Sequence, residues 1–600
     1  MSRLRALLAE LKRRRVWHVA VVYGATAFAV VEVADLFFPR LALPEWTVTL
    51  VAVLVLLGFP IALVLAWAFE LSPEGLRRTQ AAGEPTPESA RASSAGRGSW
   101  ARAGLLALLV AVLAGFGLWL HRASSAGGAG TEPDREAIAG RNIAVLPFEN
   151  LGSPEDAYFA AGMTDEITSR LAAVSGLGVV SRLSALRYQD TDKSIDQIGG
   201  ELGVRYILSG SVRWAAGSSG RVRITPELVR VSDGAVLWSE RYERVIEDIF
   251  QVQSDIASEV IDRLGVTLLR GERASLMSRP TDNLAAYTLY LKGRHFWNKR
   301  TEEDIQIAVD YFQQAVDLDS AYARAHVGIA DVWIFRGWYS RLAPEETFPK
   351  AKQAVTRALE IDESLAEAHA SRAHIYLEFD YDWEAAEREY LRAIELDPRY
   401  AIAHHWYGGY LSAMGRHEEA LAQAERAREL DPLSLIINTW VGLRHYFAGR
   451  YERAIEEYSA AIELDPGFVP AHWHLGWALE QTGRHEEAIA EAQKAVELSG
   501  GHALYLASLG HAYAKAGRDR EARDVLGRLE AESATRHVSA YHVAMIHAAL
   551  GESDDAFTWL DRAFEERSPW IGYLRVDPRG GPLRSDPRFE ALLERARLAV

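Results

Sequence analysis

Cysteine is absent from all 600 residues. That excludes disulfide staples, cysteine-ligated zinc, iron–sulfur clusters and a thiol nucleophile. It leaves the compartment open, since a chain without thiols tolerates oxidising and reducing surroundings alike. Net positive charge is also lacking: 66 Lys and Arg stand against 82 Asp and Glu. The deficit is uneven. Residues 1–122 hold 13 basic and 8 acidic residues, and the remainder holds 53 and 74. So acidic a body argues against nucleic acid as a partner, which calls for clustered Lys and Arg. Phosphate-binding G-x-x-x-x-G-K-[ST], zinc-binding H-E-x-x-H and nucleophile-elbow G-x-S-x-G motifs are missing as well. No catalytic residue, metal ligand or cofactor is therefore expected, and the chain reads as a non-enzyme.

Long apolar runs are confined to the amino end. Residues 16–38, 47–69 and 103–120 are each long enough to cross a bilayer of about 30 Å as a helix. The first contains His18, Glu32 and Asp35, and the other two carry no charge. Lys and Arg are dense before the first run and before the third, and sparse between the first two. By the bias of basic loops toward the cytoplasm, this pattern predicts a multi-pass inner-membrane region over 1–122, with residues 123–600 in the periplasm and the lipid bilayer as a partner. Residues 123–136 read as a linker.

From Arg141 the pattern changes. NIAVLPF reads as a buried strand and Asp156–Val174 as an amphipathic helix. VRYILSGSVRW, RVRITPELVRV and AVLWSERYER then alternate between turn signals, and Ile249–Leu269 reads as a closing helix. The blocks IAVLPFENL, YFAAGMTDEITSRL, GVRYILSGSVR, RITPELV and LWSERYERVIEDIF occur in order, and this part resembles the TolB amino-terminal-like domain, related to FlgO. The resemblance implies a mixed α/β interaction domain over 137–270.

The carboxyl half repeats itself. Asp397, Asp431 and Asp465 are 34 residues apart, as are Gly415, Gly449, Gly483, Gly517 and Gly551. Gly408, Gly442, Gly476 and Gly510 keep the same step, and so do Ala420, Ala454, Ala488, Ala522 and Ala556. Such a period with two amphipathic segments is a helix-turn-helix solenoid and resembles the tetratricopeptide repeat. About eight helix pairs are expected over 283–566, with 567–600 as a carboxyl-terminal cap. With its amino-terminal segments, the chain is similar to bacterial membrane-anchored tetratricopeptide proteins.

The expected fold class is thus multi-domain: transmembrane helices, a mixed α/β domain and an all-α solenoid. Transferring the groove positions of the repeat by register gives a candidate protein-binding surface of His374, Glu378, His405, Thr439, Trp473, Trp477, Gln481, His511 and Lys515. The alternative for Trp473 and Trp477 is packing between helices. The expected function is a membrane-anchored scaffold of the cell envelope binding a protein or peptide. The rival is a sensory regulator acting through the membrane helices. Oligomeric state stays open.

Overall fold

The computed structural model describes residues 69–72, 75–78 and 141–598, apart from 190, 215–220, 300 and 340–341. The chain divides into two compact units, 1–127 and 128–600. In the first, β1 (Phe69–Ser72) and β2 (Gly75–Arg78) form an antiparallel hairpin, with Phe69 opposite Arg78.

In the second unit, seven strands form one sheet: β3 (Asn142–Val145), β4 (Glu149–Asn150), β5 (Gly178–Val179), β6 (Tyr206–Trp214), β7 (Arg221–Arg230), β8 (Ala235–Ser239) and β9 (Tyr242–Val245). The order is β5-β3-β6-β7-β8, with β4 also on β6 and β9 also on β7. Pairings among β3 to β6 are parallel, and those of β7 are antiparallel. Helices α1 (Ala157–Ala172), α2 (Arg182–Leu186), α3 (Ile195–Leu202), α4 (Ile249–Arg263) and α5 (Arg270–Leu276) complete the domain. Ile143, Val145 and Leu208 pack with Met163 and Ile167 of α1 and Ile256 and Val260 of α4 on one face. Ala144 and Ile207 pack with Ala185 of α2 and Ile198 and Leu202 of α3 on the other. A central β-strand alternates its side chains, so both faces need such cover. The closing helix is shorter than its apolar pattern, because Gly265 turns left-handed at φ +63° and stops it.

Sixteen helices follow as eight antiparallel pairs, from Leu284–Lys299 with Glu302–Leu318 to Ala540–Leu550 with Ser553–Glu565. The periodic glycines do two different jobs. Gly415, Gly449, Gly483, Gly517 and Gly551 lie at φ +73° to +77° and end the first helix of their pairs. Gly408 sits where a Cβ would come within 3.1 Å of the Ala420 carbonyl on the partner helix. Gly442 leaves room for the Tyr458 ring, only 2.5 Å from where its Cβ would be.

The membrane part of the expected fold class, and with it the multi-pass inner-membrane and periplasmic placement, is corrected here. Among the described residues no helix is long and apolar enough to cross a membrane. The physical reason is composition. Pro344–Ile361, 18 residues long, carries Glu345, Glu346, Lys350, Lys352, Arg357 and Glu360. Of the three apolar runs, 16–38 and 103–120 lie outside the described residues, as does the second up to residue 68. Phe69, expected to close that second span, opens β1 instead.

The sheet domain is seated on the array. Leu291 of the first array helix fills the space that the missing side chain of Gly162 on α1 leaves. Arg324 pairs with Glu166 of α1 at 3.3 Å. The Ser184 hydroxyl of α2 donates to Asp431 and accepts from the Leu433 amide. Arg187 donates to the Leu464 carbonyl.

Candidate functional site

The site builds from the first helices of the pairs, whose side chains point to the inside of the array. His374 ends the helix Ala366–Ile375 of the third pair, and Glu378 sits on the π-helical turn Tyr376–Asp380 that prolongs it. His405 and Thr439 occupy the first helices of pairs four and five, Ala401–Ala413 and Leu435–Phe447. Trp473, Trp477 and Gln481 share Val469–Gln481 of the sixth pair, and His511 and Lys515 share Ala503–Lys515 of the seventh.

The structure covers most of this set. Trp473, Trp477, Glu378 and Thr439 have no exposed surface, and His374, His405 and His511 are buried. Gln481 is half-buried and Lys515 is exposed. Trp473, Trp477 and Glu378 are covered by the tail of the chain, which enters the array as two 3-10 turns, Pro569–Tyr573 and Pro578–Leu583, whereas His374, His405 and His511 are packed by the array itself. Only afterwards does the helix Pro587–Arg595 return to the last pair, through Arg588 to Asp554 and Arg595 to Asp561.

Trp570 is the centre of the contact. Its ring lies 5.0 Å from Trp338, 5.7 Å from Trp473, 5.5 Å from Trp477 and 5.0 Å from His542. These are edge-on or tilted arrangements, the favourable ones for aromatic quadrupoles. Tyr573 stacks on Phe447 at 5.3 Å. The Arg579 guanidinium sits 3.5 Å from the centre of the Trp477 ring. Asp577 holds that arginine through contacts of 3.1 and 2.7 Å and accepts from the Tyr541 hydroxyl at 2.8 Å. Burial alone would raise the Asp577 carboxyl, but the charge and hydrogen bonds of Arg579 outweigh it and hold the group below its ordinary range.

Around the tail lies a lining of buried polar groups. Burial pushes Glu378 well above the usual carboxylate range, with Arg444 and the Tyr573 hydroxyl pulling the other way. Burial pushes His374 down to about 3, assisted by the charge of Arg444. His405, His474 and His542 are pushed well down by the same desolvation. His511 Nδ1 lies 2.8 Å from Glu480 Oε2. Several lining atoms have no hydrogen-bond partner: both ring nitrogens of His474, Nε1 of Trp473, Nε and Nη1 of Arg444 and Oγ1 of Thr439.

Sequence reasoning passed over Trp440, His474 and His542, although Trp406, Trp440, His474, Ser508 and His542 form one more series 34 residues apart. A different histidine series is structural. His404 and His472 bond the carbonyls of Pro398 and Pro466 at 3.0 Å and the side chains of Gln423 and Glu491 at 2.6 Å, tying each repeat entry to its second helix.

Two further places were weighed. His547, Glu552 and Asp555 bring ligand-type atoms within 4.8 Å of one another. Arg523 already occupies Glu552 at 2.9 Å, which opposes a cation there. A cleft of about 880 Å³ separates α1 from the repeat entries near Asp362, Asp397 and Asp431. Its Glu166 is already paired by Arg170 at 3.0 Å and by Arg324.

The comparisons with known proteins agree with the repeat reading. Tetratricopeptide family models match residues 442–503 and 389–422. Residues 139–259 match the second domain of HilA/YgeH-like transcriptional regulators. A Rhizobium meliloti (strain 1021) protein named "Putative adenylate cyclase 3" is 34% identical over 245 residues, 40% of this chain and 41% of that one. The type IV pilus assembly protein PilF of Pseudomonas aeruginosa is 39% identical over 71 residues, 12% of this chain and 28% of its own length. The chain thus spans less than half of either curated relative. A solved structure of Pseudomonas aeruginosa PilF superposes with a TM-score of 0.28 at 24% identity, covering 36% of this chain and 94% of that one. The carboxyl half is therefore a tetratricopeptide array, a module that generally binds protein or peptide partners.

Proposed function

We propose that the protein is an interaction scaffold whose array takes a protein or peptide segment along its inner face, in a binding role and not a catalytic one. One observation carries this reading: that face already holds a stretch of short 3-10 turns, Pro569–Leu583, by aromatic, cation–π and hydrogen-bond contacts from the first helices of several pairs. These are the means by which a peptide is recognised. Gln481 and Lys515 would then mark the accessible rim, and His374, Glu378, His405, Thr439, Trp473, Trp477 and His511 the inner wall. The activity in the name of the Rhizobium relative is not carried over, since the likeness leaves more than half of that protein unmatched.

The test is photo-crosslinking in the producing cell from a reactive residue placed at Gln481, at Lys515 and, as an outer-face control, at Glu452. The same protein adduct is expected from both rim positions and not from the control. Equal adducts from all three positions, or none from the rim, refute the reading.

A further inference from the structure

The tail is bound the way a foreign ligand would be. Residues 568–583 include Pro569, Pro578 and Pro582, which limit the segment to short turns with few hydrogen bonds of its own. What fixes it is the array. Trp570 enters a box of Trp338, Trp473, Trp477, Tyr541 and His542. Nine residues on, Arg579 lies over Trp477 at 3.5 Å and 5.9 Å from the Trp570 ring. The Tyr381 hydroxyl donates to the Ser568 carbonyl at 2.9 Å.

The fit is incomplete on the polar side. His474, Trp473, Arg444 and Thr439 keep buried donors and acceptors that the tail does not meet. Core elements ordinarily satisfy such groups, so each exception asks for a reason. A wall shaped to exchange its occupant supplies one: the polar positions serve the open groove or a second ligand, and the aromatic box serves both. Beyond the box, the last helix stays anchored: Phe589, Leu592 and Leu593 are buried, the Trp383 indole donates to the Ala596 carbonyl at 3.0 Å, and the exposed pairs Arg588–Asp554 and Arg595–Asp561 add little, so exchange concerns residues 568–583 alone.

We infer that the inner face of the array recognises a segment of short turns bearing a tryptophan and, nine residues later, an arginine, and that residues 568–583 are its resident occupant, displaced when a partner segment of that chemistry binds. The inference rests on reading the array as a binding scaffold, and it adds the partner's chemistry and the means of regulation.

The absence of cysteine supplies a clean assay. Ser568→Cys introduces a sole thiol at a position 6% exposed, with almost no change of volume. The probe is a synthetic peptide of residues 568–583, added to the full chain while the thiol reacts with a disulfide reagent. The peptide should accelerate labelling at least tenfold and saturably. A peptide with alanine for Trp570 and Arg579 should not. In a second variant carrying Trp570→Ala as well, labelling should be fast without peptide while far-ultraviolet dichroism keeps its helical signal.

Labelling that ignores the peptide, or that answers equally to the alanine peptide, overturns the inference. So does a Trp570→Ala chain whose thiol reacts only as fast as the whole molecule unfolds. The two readings fail separately. A tail that opens as described while the rim crosslinks nothing sinks the scaffold reading. A tail that stays closed while rim crosslinks form sinks this one.

Discussion

Replacing Asp577 with alanine is the sharpest probe of how the tail is held. Asp577 has no exposed surface, and Arg579 is 3% exposed. The carboxylate accepts from the Arg579 amide at 3.0 Å, from its guanidinium at 2.7 Å and from the Tyr541 hydroxyl at 2.8 Å. Removing it leaves a guanidinium charge buried against Trp477 with no counter-charge in contact. Breaking such a pair from one side costs about 3–5 kcal/mol, since the remaining ion keeps its desolvation penalty. Replacing both partners by apolar residues of similar size, Asp577→Leu with Arg579→Met, removes the penalty along with the attraction. That double variant should return to within about 2 kcal/mol of the parent.

Urea unfolding followed by tryptophan fluorescence reads both outcomes, because Trp338, Trp473 and Trp477 all border Trp570. The alanine variant should show its loss in the midpoint, or as a new transition at low urea in which the tail leaves first. A cost below about 1 kcal/mol for Asp577→Ala would mean that the pair is wetted and the tail is not seated, and the argument would fall.

Trp473→Ala and Trp477→Ala should each cost about 3–5 kcal/mol in the same assay. The double variant should cost less than the sum, because the rings sit 4.8 Å apart and share Trp570. Acid should destabilise the closed array. His374 is held near 3 in the folded chain by burial and returns to about 6.5 on unfolding, so the unfolded state takes the proton first. Its contribution is complete above about pH 6.5 and falls by about 2 kcal/mol on going from pH 7 to pH 5, with His405, His474 and His542 acting in the same direction. His472, raised chiefly by its bond to Glu491, works oppositely: its share is present in acid and fades as pH rises through its folded value. Thermal melts at pH 5 and pH 7.5 decide the net sign. Gly442→Ala should cost about 1–3 kcal/mol, because the added carbon meets the buried Tyr458 ring at 2.5 Å. Gly415→Ala, with open space around it, should cost about 1–2 kcal/mol from its φ of +74° alone. Melting points that rank the two the other way by a wide margin would contradict the assignment of clash to one and backbone strain to the other.

The array was legible because each repeated residue type does one local job. A glycine that must turn left-handed, or must let a carbonyl approach to 3.1 Å, leaves its mark at a fixed interval whatever surrounds it. The inner wall was legible by the same register, but its burial was not. Trp473 and Trp477 are covered by Trp570, nearly a hundred residues on, in a tail with no period and no helix-length pattern. The seat of the sheet domain was hidden for a related reason. Asp431 stands in a series with Asp397 and Asp465 and looks like a helix-ending acid in all three. Only the structure shows the Ser184 hydroxyl docked on it. The amino-terminal runs were read as spans from their length, apolar composition and flanking Lys and Arg; all but Phe69 lie outside the described residues, among which no helix is long and apolar enough to cross a membrane.

These two attachments hold different sets of pairs, and together they say which part of the array is least supported. The sheet domain holds pair one through Gly162 and Leu291, pair two through Glu166 and Arg324, and pairs four and five through Ser184 and Arg187. From inside, the tail reaches pair two at Trp338, pair three at Tyr381, pair five at Phe447, pair six at Trp473 and Trp477, and pair eight at Tyr541. Pairs two and five are held twice. Pairs six and eight are held by the tail and by their immediate neighbours. In a solenoid each repeat is stabilised by the ones beside it, so an end without other support responds first when a long-range strap is removed. Displacement of the tail is therefore expected to loosen residues 469–565 before the braced first half, an order that amide hydrogen exchange would read. Trp570 joins the two parts, since it touches Trp338 on the braced side and Trp473 and Trp477 on the other.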